Sequence, residues 1–254
     1  MHLFYTPLLN PGMPAFLLDE AESKHAVRVL RLGVGDQVHL VDGKGGFYDA
    51  QIGDANPKRV MLNILGVKEN YGQHPYRLHI AIAPTKNMDR LEWFIEKATE
   101  IGIDEITPLI CDRSERKEVK VERLEKVAVA AMKQSLKAYL PRINAAIRFS
   151  AFIKQLQDKS IPSGSETLTN NASIAKRFIA HCRDDEKTFL SSMVQAGDSM
   201  LILIGPEGDF SPEEISTALS ANFSAVSLGA SRLRTETAGL AACMEVELVN
   251  RGVN

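Results

Sequence analysis

Met200-Leu201-Ile202-Leu203-Ile204 is an unbroken apolar run of five residues that stops at Gly205, and an explicit helix start follows it. Ser211 supplies an N-cap hydroxyl, Pro212 the first helical residue and Glu214 the return partner of a capping box. A short apolar run with turn signals at its end reads as a strand buried on both faces. Such a strand needs helices above and below it, which only an α/β sheet provides. The same alternation recurs over the last two thirds of the chain. Strands are expected at Arg77–Ala83, Glu105–Leu109, Ile143–Ile147, Lys176–Cys182 and Ala225–Leu228. Helices are expected at Met88–Ile101 with Gly102 as stop, at Val121–Leu140 ended by Pro141, and at Thr235–Asn250. Helical turns are expected near Ser150–Gln157, and Ser160–Asn171 reads as a polar loop. The expected architecture is a mostly parallel sheet with helices on both faces.

The first 70 or so residues follow another rule. Gln37–Val41 alternates, Asp42-Gly43-Lys44-Gly45-Gly46 signals a turn, and Phe47–Ile52 and Arg59–Val67 resume the extended pattern. One helix, about Glu20 to Arg31, interrupts them. A small β-barrel domain fits. The polar stretch Glu69–Pro75 marks the break, which places a β domain over 1–72 and an α/β domain over 73–254.

Several function classes fall away. Cys111, Cys182 and Cys243 form no CxxC pair and the six histidines form no HxxxH pair, so neither a disulfide framework nor a metal site is expected. Met200–Pro206 is far short of the roughly 20 residues of a membrane span, and the N-terminus has no basic start or cleavage site of a signal peptide. A cytoplasmic protein is expected. A net charge of −2 argues against coating nucleic acid by bulk electrostatics. A local basic stripe remains open, because phosphate contacts act within a Debye length of about 8 Å. No GxGxxG follows an early strand, which disfavours a dinucleotide-dependent dehydrogenase.

Two strand-to-loop junctions concentrate the candidate chemistry: Gly205-Pro206-Glu207-Gly208-Asp209-Phe210, and Leu228-Gly229 through Leu233-Arg234-Thr235-Glu236-Thr237-Ala238. In a parallel sheet, ligands sit beyond the carboxyl ends of strands, where loops meet helix N-termini.

The spelling of these loops, with Ser211-Pro212-Glu213-Glu214-Ile215, resembles the paired signature of the RsmE family. Those are SPOUT-superfamily enzymes that methylate N3 of a uridine in 16S ribosomal RNA. Val29-Leu30-Arg31, Gly35-Asp36 and Asp42-Gly43 resemble the family's N-terminal PUA-like domain. Lys97 through Gly102, Pro108-Leu109, Arg113-Ser114 and Gln134-Ser135 resemble its middle blocks. One departure stands out: Leu136-Lys137 follows the Gln-Ser pair where many members carry Gly-Arg.

The resemblance implies a trefoil-knotted C-terminal domain whose loops cradle S-adenosylmethionine. By position it implies Leu203, Gly205, Pro206, Glu207, Gly208, Leu228, Gly229, Leu233, Thr235 and Ala238 as cofactor-binding residues. It implies Arg234 as the cation facing charge that develops on the uracil. Glu236 is implied as a base, or as an acid favouring the positive end of the last helix. Arg90 is implied to hold RNA phosphate or the uracil. Lys24, Arg28 and Arg31, spaced four and three apart, are expected to line one helix face for RNA phosphates, with Arg113 and Arg116 in a second basic cluster. The implied partners are 16S ribosomal RNA in the small subunit and a second copy of the chain, since SPOUT enzymes usually work as dimers. Two other readings stay open: ribose 2′-O-methylation on the same fold, and an inactive RNA-binding ribosome-assembly factor.

Overall fold

The computed structural model describes residues 2–158, 176–183 and 186–252. The expected loop Ser160–Asn171 lies outside the described residues. Two compact units emerge: residues 1–73 with 129–140, and residues 74–128 with 141–254.

In the first unit, β1 (Leu3–Tyr5) and β2 (Ala15–Leu17) precede α1 (Glu20–Lys24), and β3 (Gln37–Val41), β4 (Phe47–Asn56) and β5 (Arg59–Lys68) follow. The five strands pair in the order β1-β3-β4-β5-β2, parallel at β1-β3 and antiparallel elsewhere. Phe4, Leu40, Tyr48, Ile52 and Leu62 fill the core beneath them. Burial alternates along β4, which is the period-2 signature of a sheet with one packed face. β1 and β2 are three residues each, too short for alternation to announce them.

The expected helix of 20–31 needs a correction. The side chain of Asp19 caps α1 by accepting the Glu22 amide at 2.8 Å, but the chain then widens into a π-helical turn over His25–Val29. Arg31 sits beyond the helix in the left-handed region at φ 58°. Lys24, Arg28 and Arg31 therefore do not share one α-helical face, because the helix has ended before Arg31.

The second unit opens with β6 (Arg77–Ile82), α2 (Met88–Ile101), β7 (Glu105–Ile110) and α3 (Val121–Gln134). It continues through β8 (Arg142–Ile143), β9 (Ile147–Arg148), α4 (Phe149–Gln157), β10 (Lys176–Ala180), β11 (Thr188–Phe189) and α5 (Leu190–Met193). β12 (Ser199–Ile204), α6 (Pro212–Ser220), β13 (Ser224–Ser227) and α7 (Thr235–Asn250) complete it. The sheet order is β11-β13-β10-β12-β6-β7-β8, with β9 also on β7, and the pairings are parallel. All six residues of β12 are buried, as a strand covered on both faces requires. α2 turns Leu91, Phe94, Ile95 and Ala98 inward at helical spacing and stops at Gly102. α7 comes close to α2 because residue 239 is glycine: a Cβ there would lie 2.6 Å from a ring carbon of Phe94.

The helix expected to run to Pro141 ends at Gln134 instead. Leu136 takes φ 57°, and the Lys137 amide donates back to the Met132 carbonyl at 3.1 Å, closing the helix in the manner of a Schellman turn. Residues 138–140 then pair with the β3–β4 turn: the Gly45 amide donates to the Ala138 carbonyl at 2.9 Å, and the Leu140 amide to the Gly43 carbonyl at 3.0 Å. Met132 and Ala138 pack with Leu3, Val41 and Phe47, so this strap belongs to the first unit's core.

Candidate active site

β10, β12 and β6 lie side by side and parallel, so their carboxyl ends open on one edge of the sheet. A cleft of about 240 Å³ sits there. Ala180 and Cys182 contribute from the end of β10, and Ile204, Gly205, Pro206, Glu207 and Asp209 from the end of β12. Arg232, Leu233 and Arg234 come from the loop after β13, with Thr235 and Ala238 from the first turn of α7.

The two loops are tied to each other. The buried Thr235 hydroxyl donates to the Gly205 carbonyl at 3.0 Å. Gly205 also leaves little room for a side chain, since a Cβ there would press on the Phe210 ring at 3.0 Å. Asp209 holds the third wall: its Oδ2 accepts the Cys182 amide at 3.0 Å and its Oδ1 the Phe210 amide at 2.9 Å. Glu207 reaches the other way, accepting the Lys86 amide at 2.9 Å from the loop after β6.

A second layer fixes these loops. The guanidinium of Arg116 donates twice to the Lys86 carbonyl, at 3.1 and 3.3 Å, and Arg113 donates to the Gly208 carbonyl at 2.9 Å. The α6 capping box forms, with Glu214 accepting both the Ser211 and the Asp112 amides at 2.9 Å. Burial raises the Glu214 carboxyl above the usual range, while those two N–H donors pull it back. Ser211 in turn donates to Asp112 at 2.9 Å. Arg113 and Arg116 thus grip backbone carbonyls of cleft-forming loops.

Of the expected cofactor residues, Gly205, Pro206, Glu207, Leu233, Thr235 and Ala238 line the cleft. Leu203 does not: it is fully buried in β12 and packs with Ile179 and Leu201 in the core. Gly208 lies behind the cleft against Arg113, and half-buried Leu228 and exposed Gly229 sit on the loop that leads to Arg232. Arg234 lines the cleft, exposed, as the N-cap residue of α7. Glu236 is buried behind it and faces Arg90 in the first turn of α2, Oε1 to Nε 3.8 Å, so the ion pair of Glu236 is with Arg90 rather than Arg234. Among the described residues its Oε2 has no hydrogen-bond partner. Asp209 and Arg232 lie within the two expected junctions and Ile204 just before the first, though outside the expected cofactor set. Ala180 and Cys182 lie outside both junctions and join the cleft because β10 neighbours β12.

A family model for an RNA methyltransferase domain matches residues 72–247, and one for an RNA methyltransferase PUA domain matches residues 18–65. The ribosomal RNA small subunit methyltransferase E of Rickettsia conorii is 30% identical over 236 residues, covering 91% of this chain and 89% of its own length. The chain belongs to that family. The Bacillus subtilis protein of the same name is 27% identical, covering 89% and 87% of the two chains. The crystal structure of a "probable rRNA-methyltransferase from Porphyromonas gingivalis" is 40% identical, covers 100% of both chains and superposes with a TM-score of 0.85. A Legionella pneumophila structure holding bound S-adenosylmethionine is 25% identical, covers 98% and 97%, and has a TM-score of 0.81. The two matches follow the two architectures: β3, β4 and most of β5 of the mixed sheet fall in the PUA match, and the parallel sheet with its carboxyl-edge cleft falls in the RNA methyltransferase match.

Proposed function

We propose that the protein methylates N3 of a uridine in 16S ribosomal RNA of the small ribosomal subunit, using S-adenosylmethionine held in the carboxyl-edge cleft. The observation that carries this reading is the cleft's donor set. Ile204, Leu233 and Ala238 offer apolar wall for an adenine ring, while Glu207 and Asp209 place two carboxylates where a cationic ligand gains from them. The fit is chemical as well as spatial. When bound, S-adenosylmethionine supplies an electrophilic methyl group on a sulfonium.

The chain's own residues do the rest. Uracil N3 carries a proton at neutral pH, so its attack needs that proton released and the charge spread onto O2 and O4 stabilised. Arg234, exposed at the cleft, is the cation for that charge. The Glu236–Arg90 pair braces the start of α7 against α2 and so fixes the backbone from which Arg234 projects. Positioning of the acceptor can supply roughly 7–11 kcal/mol of barrier reduction. RNA phosphates are met by Lys24, Arg28 and Arg31 in the first unit, and by the exposed guanidinium groups of Arg113 and Arg116 in the second. A second copy of the chain is the proposed protein partner, with Trp93 on α2 and Leu248 on α7, exposed at 42% and 52%, as apolar side chains open to it. The proposed workplace is the cytoplasm, where small subunits are built.

The test is methyl transfer from labelled donor onto unmodified small-subunit particles, followed by mass analysis of the nucleosides. The expected product is 3-methyluridine at one position. A 2′-O-methylated ribose would move the reaction to the sugar. Calorimetric cofactor binding without any transfer would favour an assembly factor.

A further inference from the structure

Across the parallel sheet, Thr188, Val226, Ala180, Ile204 and Ile82 form one continuous row of paired positions on five adjacent strands. Ala180 and Ile204 from this row line the cleft. Phe189 is one residue past the row on β11, at the same carboxyl edge, and its Cα partner is Ser227, the last residue before the Leu228–Arg234 loop. With strands about 4.8 Å apart, Phe189 stands roughly 10 Å along the edge from Ala180. It is 53% exposed. Among the described residues of this unit the other large exposed apolar side chains, Trp93, Leu219 and Leu248, lie on helices rather than on a strand end. Arg232 and Arg234, both exposed, lie on the loop that begins beside Phe189.

We infer that Phe189 is a stacking platform for a base next to the target uridine, with Arg232 holding the intervening phosphate. The inference rests on the proposed function above and deepens it by naming how the strand is held. An enzyme that takes one uracil into a cleft must hold the neighbouring nucleotides unstacked from it. An aromatic face does this for any base without hydrogen-bond readout, and a guanidinium beside it neutralises the backbone. β11 is a two-residue edge strand, so it offers a side chain rather than a backbone ladder to the RNA.

Full-length wild type, Phe189→Ala, Phe189→Trp and Arg232→Ala are compared for methyl transfer onto unmodified small-subunit particles across a salt series. Phe189→Ala should raise KM for the particles about tenfold, with kcat and calorimetric S-adenosylmethionine affinity within about twofold of wild type. Its dependence of log KM on log salt should keep the wild-type slope, because stacking releases no counterions, whereas Arg232→Ala should make the slope shallower. Phe189→Trp should restore KM. A Phe189→Ala enzyme with wild-type KM overturns the inference. So does loss of cofactor affinity, which would put Phe189 in the donor pocket, or a change in sedimentation, which would put it between subunits. Failure of the tryptophan variant to rescue also overturns it. If wild type itself transfers no methyl group, the proposed function fails instead, and the two failures are distinct.

Discussion

The Thr235 hydroxyl donates to the Gly205 carbonyl across 30 residues of sequence, and this one bond joins the loop after β12 to the start of α7. Both residues line the cleft, and Thr235 is buried. Thr235→Val keeps the shape and removes the donor, leaving a buried carbonyl short of its partner, at a cost of about 1–3 kcal/mol. Cofactor affinity should fall about tenfold by calorimetry, and Thr235→Ser should recover most of it. Unchanged affinity in the valine variant would show that the loops hold their spacing without this bond.

Arg234 caps α7 by position only, with no side-chain bond to the helix. Arg234→Ala should therefore leave the melting temperature within about 2 °C, a shift worth no more than roughly 1 kcal/mol in a chain of this size. Turnover should fall at least 100-fold, the scale of losing one donor to a developing oxyanion. Single-turnover methyl transfer with saturating donor measures this, and near-normal turnover would remove Arg234 from the reaction.

What could be read from the sequence was what local rules dictate. The Ser211 capping box, the Met88 to Ile101 helix with its Gly102 stop and the Thr235 to Asn250 helix all appear where their own residues demand. Leu203 belongs to the core cluster and not to the cleft lining, a distinction that sequence does not carry because inward- and outward-pointing residues of a doubly buried strand look alike. The place of Cys182 and Ala180 in the cleft depends on β10 lying beside β12, a pairing across 20 or more residues that no local rule encodes. The end of α3 leaves no local signal, because Leu136, Lys137, Ala138 and Leu140 are all good helix formers. Pairing of 138–140 with Gly43 and Gly45 overrides that propensity.

Glu236 Oε1 and Arg90 Nε sit 3.8 Å apart, while Glu236 Oε2 has no hydrogen-bond partner among the described residues. If the pair acts as one brace, Glu236→Gln and Arg90→Gln should each lower turnover about tenfold. The double variant should then lose no more than either single, because the shared interaction can be removed only once. Losses that multiply would mean that the two residues act separately, with Glu236 free to serve as a base.

His79 is buried in β6, its Nε2 2.8 Å from the Thr107 hydroxyl, and burial lowers its pKa to about 4 from an ordinary 6.5. The folded protein keeps the imidazole neutral while the unfolded chain protonates it, so between pH 6.5 and 4 the unfolded state binds more protons. Stability should therefore be full above about pH 6.5 and fall by up to ~3 kcal/mol as the pH drops toward 4. Urea unfolding midpoints at pH 7.5 and 4.5 should differ less in His79→Gln than in wild type. Equal pH dependence in both would assign the acid sensitivity to other groups.

Leu136 occupies φ 57° at the helix end, and it is 39% exposed. A side chain with a Cβ is strained in the left-handed region by about 1–2 kcal/mol, whereas glycine adopts it freely. Part of that gain is offset by glycine's greater freedom in the unfolded chain and by removal of a partly buried apolar side chain. Leu136→Gly should still stabilise the fold by about 0.5–1 kcal/mol, raising the melting temperature by roughly 1–4 °C. Leu136→Val should lower it, because branching at Cβ worsens the same strain. Scanning calorimetry on the three proteins decides it: a glycine variant less stable than wild type would mean that the packing of Leu136 outweighs its backbone strain.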